Sequence, residues 1–279
     1  GRSAKGQTLA DLKAKIGDVT EIPNWGTAPV TVPGTVDAWY ELHDKFGKIS
    51  MTDNLAPAIK YANDGFPVTE VVSYYMGIYQ ERYEKLFEAG EIEEIANYQA
   101  TYLIDGEYIK EGQIFKNPDL ANTLSMIAKG GRDAFYEGKI ADTIDAYFKR
   151  IDGPLRKEDF ASHTSTWIEP VSVNYRGVDV WELPPNGQGI AALQMLNILE
   201  GYDLKAMGHN SADYLHVMTE AKKLAFEDRA RFYADPDYYN VPLDGLLSKE
   251  YGKSRRALIN MDKAAQEVDH GDPKLLKGD

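Results

Sequence analysis

Apolar residues along this chain recur mostly at intervals of three and four, so helix is predicted to outweigh strand. The first 34 residues are loop-rich. Leu9–Ile16 predicts one short helix there, after which Pro23, Gly26, Pro29, Pro33 and Gly34 break the chain repeatedly. From Thr35 the pattern turns helical: Val36, Trp39, Tyr40, Leu42, His43 and Phe46 share a face, and Gly47 closes the run. Leu55, Ile59, Tyr61 and Ala62 predict a second helix stopped by Asp64, Gly65 and Pro67. Residues 69–99 predict a long helical stretch interrupted at Ala89 and Gly90. The stripe Tyr74, Tyr75, Tyr79 and Tyr83 along it reads as core or helix-interface packing rather than as a cofactor box.

Asp105-Gly106 predicts a tight turn between two short extended pieces, and Asn117-Pro118 opens a helix with Leu120, Leu124, Ile127 and Ala128 inward, ended by Gly130-Gly131. Helices follow at 133–136 and 139–149, and a loop at Asp152-Gly153-Pro154. Residues 171–175 and 178–183 flank Arg176-Gly177 as a hairpin. Residues 189–199 form a strongly apolar helix, and 213–232 another with Leu215, Met218, Leu224 and Phe226 inward. The last 20 residues read as charged loop. No repeat, low-complexity run or linker is visible, so one domain over residues 1–279 is expected.

Composition narrows the function. The 279 residues carry 44 acidic and 31 basic side chains, a formal net charge of −13. A phosphate backbone needs a basic partner, so nucleic acid is excluded as a partner and docking on anionic membranes is disfavoured. No apolar run approaches the roughly 20 residues of a membrane span. With no cysteine, a thiolate nucleophile, a disulfide scaffold and a cysteine zinc site are excluded. The first residues, Gly1 to Gly6, read as the middle of a longer chain, so the N-terminal part of the protein is expected to be missing. A bacterial cytoplasmic location is favoured over a periplasmic or secreted one.

A self-contained active site is not evident. There is no Gly-x-Ser-x-Gly elbow, phosphate loop or dinucleotide fingerprint, and no cofactor is expected. None of His43, His163, His209, His216 and His270 has the spacing of a metal pair, and Ser162-His163-Thr164-Ser165 reads as a polar loop. The segment Pro184-Pro185-Asn186-Gly187-Gln188-Gly189 is more informative. It lies between a strand and an apolar helix, and its glycines admit close backbone approach. Amides at such a helix start can hold an anion or oxyanion, although an ordinary strand-to-helix turn reads equally from these residues.

Four stretches in order along nearly the whole chain resemble the γ-glutamyltransferase family of N-terminal-nucleophile hydrolases. They are Val30-Thr31-Val32-Pro33-Gly34; Asn117-Pro118-Asp119-Leu120-Ala121-Asn122-Thr123-Leu124 continuing to Phe135-Tyr136-Glu137-Gly138; Tyr175-Arg176-Gly177 leading to Pro184-Pro185 and Gln194-Met195-Leu196-Asn197; and Glu220-Ala221-Lys222-Lys223 with Asp228-Arg229 and Asp235-Pro236. The resemblance implies an α/β (α+β) fold, a four-layer αββα sandwich, to which this mostly helical large subunit contributes and which a small subunit of the same precursor completes. It implies a precursor that cuts itself before a threonine, whose hydroxyl becomes the nucleophile and whose α-amine serves as base. No catalytic residue is then expected on this chain, and Asp279 would be the processing site. The acyl group of a γ-glutamyl or glutaryl amide would pass through an acyl-enzyme to water or an amine.

The resemblance also places an arginine early in the large chain on the α-carboxylate of the substrate, and Arg2 lies in the matching region. A guanidinium suits a carboxylate because its fork makes two parallel hydrogen bonds. Transpeptidases of the family show Pro-Pro-x-Ser-Ser-Gly-Gly where this chain has Asn186, Gly187, Gln188 and Gly189 after its two prolines. That variant is similar to the acylase-like, or cephalosporin-acylase-like, branch, and these four residues are expected near the active site. The competing expectation is a non-catalytic paralogue that keeps the fold as a binding or scaffold protein.

Overall fold

The computed structural model describes residues 2–274. Two compact units divide the chain, residues 1–166 and residues 167–279.

The first unit contains α1 (Leu9–Ile16), α2 (Thr35–Phe46), α3 (Met51–Asp64), β1 (Phe66–Pro67), α4 (Glu70–Glu88), α5 (Ala96–Tyr102), β2 (Leu103–Ile104), β3 (Glu107–Tyr108), β4 (Ile114–Phe115), α6 (Pro118–Tyr136), α7 (Lys139–Arg150) and α8 (Lys157–Ala161). Side chains of Thr8, Ser50, Thr69 and Asn117 cap helix starts by accepting from the third residue onward, which satisfies amides that have no partner inside the helix. Gly131, at φ 73°, kinks α6 where the sequence predicted a break. Val36, Leu55, Leu124, Ile127, Tyr136, Phe148 and Phe160 form the core, with α3 packed on α6. The β2–β3 turn uses Asp105 and Gly106 at positive φ, as two-residue hairpins require.

Several inward residues are placed differently from expectation. Leu42 and Leu120 are exposed, because the buried stripe of α6 runs through Ala121, Leu124 and Ile127 instead. Tyr74, Tyr75 and Tyr79 are also exposed, so they are not core. Tyr83, the last of the stripe, does pack at a helix interface, on the Tyr98 ring of α5 at 4.7 Å, and the opposite side of α4 packs as well: Gly77 lies against the Tyr108 ring, and Gln80 bonds Tyr108 N and Gly106 O.

The second unit contains β5 (Val171–Tyr175), β6 (Val178–Glu182), α9 (Ile190–Leu199), α10 (Leu204–Met207), α11 (Ala212–Phe232), α12 (Leu243–Leu246) and α13 (Lys249–Arg256). Strands β5 and β6 pair antiparallel with Val173 opposite Val180, and Arg176 and Gly177 turn between them at positive φ. Helix α9 packs against α11, α13 and β5, which explains why its sequence is apolar almost all round. On α11 the buried face is Val217, Glu220, Ala221, Leu224, Ala225, Asp228 and Phe232, whereas Leu215 is exposed. Across the described residues the three sheets are all two-stranded and antiparallel, and no helix is long and apolar enough to cross a membrane.

Candidate functional site

Arg2 sits on an arm outside regular structure that is nonetheless fixed at its backbone. The Arg2 carbonyl accepts a hydrogen bond from Val32 N at 2.9 Å. Ala4, 2% exposed, is part of the core. Gln7 N closes a turn onto Ala4 O at 3.1 Å, and Lys5 N donates to Asp159 Oδ1 at 2.7 Å. The backbone is thus tied down while the guanidinium faces solvent, an arrangement suited to meeting an anion without first ordering the chain.

Beside the arm lies a polar cluster that sequence reasoning missed. The Asp37 carboxylate, almost fully buried on α2, accepts from the Arg132 guanidinium and from Ser165 N. Burial pushes its pKa up, but these hydrogen bonds from Ser165 and Arg132 outweigh burial and hold it below the usual range. Arg132 also donates to His163 O. The His163 ring stacks on Tyr136 at 5.2 Å and stands 3.8 Å from Asp37, yet neither ring nitrogen has a hydrogen-bond partner. Burial is the main force lowering the His163 pKa; Asp37 opposes it, while the charges of Arg2 and Arg132 add to it. Tyr136 donates to Pro33 O and accepts from Asp37 N. Gly34 packs closely here: a Cβ would sit 3.2 Å from the His163 ring, which would have to shift slightly. The run at 162–165 is a polar loop, with Ser162 and Thr164 exposed and with His163 and Ser165 packed against Asp37. The signal available in the sequence was its imidazole among hydroxyls, but its partner Asp37 lies about 125 positions away.

The turn at residues 184–189 is in the second unit. Asn186, Gly187 and Gln188 are exposed, and Gly189 is the N-cap of α9. Gln188 accepts from Arg229 through its side chain and from Ala191 N at 3.0 Å through its backbone. The two glycines are not equivalent. A Cβ at Gly187 would meet nothing, whereas one at Gly189 would collide with the Glu182 carboxylate. That carboxylate already faces the helix start, which disfavours a second anion there.

The second unit also buries a polar network. Asp228, wholly buried, accepts from Gln194 Nε2 at 2.9 Å and Gly271 N at 2.9 Å, and pairs with Arg255 at 3.4 Å. Arg255 further donates to Asp269 O, and Tyr233 donates to Gln194. Glu220 accepts from Ala265 N, while Lys223 donates to Ala265 O. The residues 220–229 that carried part of the resemblance thus clamp the segment 265–271. Asp279 lies outside the described residues.

Among the described residues nothing else resembles a centre. His43, His216 and His270 each bond a backbone carbonyl. No group of three metal-ligating side chains occurs among the described residues.

A sequence model of the family described as gamma-glutamyltranspeptidase matches residues 1–277, and the chain belongs to that family. It is 37% identical to the glutathione hydrolase-like YwrD proenzyme of Bacillus subtilis over 254 residues, 91% of this chain and 46% of the relative. Cephalosporin acylase from Bacillus halodurans superposes with a TM-score of 0.85 at 36% identity, over 98% of this chain and 49% of that one. The γ-glutamyltranspeptidase of Helicobacter pylori superposes with a TM-score of 0.84 at 28% identity, over 99% of this chain and 78% of that one. The chain spans less than half the length of the first curated relatives it matches.

Proposed function

We propose that this chain is the large-subunit part of a self-processed amidase that cleaves γ-glutamyl or glutaryl amides. Arg2 binds the free carboxylate of the acyl group. The nucleophile is the threonine that follows Asp279 in the precursor, heading a small subunit that completes a four-layer αββα sandwich. Its hydroxyl attacks the amide carbonyl, its α-amine takes the hydroxyl proton and passes it to the leaving amine, and water or an acceptor amine then attacks the acyl-enzyme. The observation that carries the reading is the arm: within a family match running from residue 1 to 277, the matching arginine is tethered at its backbone and open at its guanidinium. Two further features support it. The β5–β6 hairpin has an outward face with Trp181 exposed at 59%, and a lone two-stranded hairpin gains stability from added strands. Segment 265–271 is clamped just ahead of the proposed cut.

The test is a panel of γ-glutamyl, glutaryl and butyryl p-nitroanilides, each with and without glycylglycine, on the full-length processed protein. Arg2→Ala should lower kcat/KM by about ten- to several-hundred-fold for the two carboxylate-bearing substrates, from charge-assisted hydrogen bonds worth roughly 1.5–3 kcal/mol each. Butyryl turnover should change little, and Arg2→Lys should recover only part of the loss. Equal losses on all three substrates would contradict the reading.

A further inference from the structure

We infer that Asp159 is a positioning residue for substrate recognition, holding the Arg2 arm through the backbone of Lys5. The inference rests on the reading of Arg2 as the carboxylate binder. Asp159 is 6% exposed, and its two oxygens have separate tasks. Oδ2 accepts from Arg156 N at 2.8 Å and caps α8, which is seated in the core by Leu155 and Phe160 at 1% and 0% exposure. Oδ1 accepts from Lys5 N at 2.7 Å, across 154 positions of sequence. The carboxylate therefore belongs to the rigid body of the unit on one side and to the arm on the other.

The arm needs such a tie. It has no helix or strand of its own, and its guanidinium is a long side chain in water. A charge on a loosely held backbone must be ordered at the moment of binding, which weakens binding without altering the chemistry. Three contacts prevent this: Val32 N on Arg2 O, Ala4 in the core, and Lys5 N on Asp159. Of these the Asp159 contact has an ionised acceptor, and charge-assisted hydrogen bonds are roughly twice as strong as neutral ones. Arg2 and Lys5 flank Ala4, so loss of the Asp159 contact lets the arm pivot on Ala4 and swings the guanidinium.

Lys5 and Asp159 offer one variant from each side of the contact. Lys5 is the second residue of the turn closed by Gln7 N on Ala4 O. Proline is favoured at that place and has no N–H. Lys5→Pro thus deletes the bond to Asp159 and sets the ring Cδ where the N–H hydrogen pointed, so the Asp159 carboxylate must also give way. Asp159→Asn is the second variant: an amide can accept only one of the two N–H groups that the carboxylate serves.

The experiment measures KM and kcat with γ-glutamyl p-nitroanilide on full-length processed protein for Lys5→Pro, Asp159→Asn, Arg2→Ala and Arg2→Ala/Lys5→Pro, with melting curves for each. The expected result is a KM raised about five- to tenfold in Lys5→Pro with kcat within about twofold, the pattern of lost uniform binding, and a smaller shift in the same direction for Asp159→Asn. In the Arg2→Ala background, Lys5→Pro should change kcat/KM by less than about twofold, because coupled residues are non-additive. A wild-type KM in Lys5→Pro beside a raised KM in Arg2→Ala would overturn this inference alone. Equal fold-losses with and without Arg2 would also overturn it, making the contact merely structural. An unchanged kcat/KM in Arg2→Ala would overturn the carboxylate reading, and this inference with it.

Discussion

In the first unit the Asp37 side chain is 3% exposed while its partner Arg132 keeps 25%; in the second, Asp228 and Arg255 keep 0% and 5%. Both pairs hold segments that lack regular structure. Asp37 and Arg132 hold residues 163–165 beside the Pro33–Gly34 segment, and Asp228 and Arg255 hold residues 269–271. Their neighbours differ. A histidine with two unpartnered nitrogens stands against Asp37, whereas Tyr233 and Tyr251, whose phenol pKa values burial pushes well up, stand beside Asp228. One chemistry therefore has two costs. A guanidinium at the edge of water can rehydrate when its partner is lost, and a fully buried one cannot.

The largest effect expected from this difference is in the second unit. Asp228→Ala leaves Arg255 buried without its carboxylate and frees Gly271 N, and should cost about 3–5 kcal/mol in urea unfolding of the full-length protein. It should also expose segment 265–271 to limited proteolysis. A loss below about 1 kcal/mol would erase the contrast. Next is Asp37→Ala, where Arg132 regains water; the loss should be about 1.5–3 kcal/mol, the range for a charged hydrogen bond. If Asp37→Ala proved costlier than Asp228→Ala, exposure of the partner would not be what sets the scale.

A smaller effect separates the two glycines before α9. Gly189→Val must displace the Glu182 side chain and should cost about 1 kcal/mol, while Gly187→Val, in open space, should stay within about 0.5 kcal/mol. Equal effects in a chemical denaturation series would mean that the Glu182 contact does not govern the turn.

The smallest effect is a pH slope confined to the first unit. The folded His163 has a pKa below its ordinary 6.5, so the unfolded chain takes up the proton first as pH falls. Stability is then full above about pH 6.5, declines below it, and levels off once the folded histidine protonates. A second decline, below the ordinary carboxylate range, is shared by Asp37 with other carboxylates whose pKa hydrogen bonds lower, Glu200 and Glu220 of the second unit among them. His163→Phe should remove the first decline and leave the second. An unchanged slope near pH 6 in that variant would assign it elsewhere.

Much of the fold was legible because local rules govern it. Asn117-Pro118 opens α6, Gly131 kinks it, Arg176-Gly177 turns the hairpin, and Leu9–Ile16 is a helix in a loop-rich region. The misses are those of partnership. Periodicity says that Leu215, Leu120 and Tyr74 share a stripe with apolar neighbours, but not how wide a face the neighbouring helix covers. The pairs β1–β4 and Phe66–Phe115 join positions about 50 apart and leave no local pattern. Motifs single out candidates and not the side chains that hold segments in place. Arg2 and residues 186–189 were singled out, whereas Asp37, Asp159 and Asp228 look like ordinary surface aspartates on helices until the fold buries them.

In the proposed enzyme this chain supplies the recognition arm and cleavage after Asp279 releases the nucleophile. N-terminal sequencing of the full-length protein after purification tests it most directly. The expected result is two chains, the smaller beginning with threonine as the residue after Asp279, and p-nitroanilide cleavage that appears with that chain. A single uncut chain with γ-glutamyl or glutaryl amidase activity, or a smaller chain beginning with any residue that is not threonine, would contradict it.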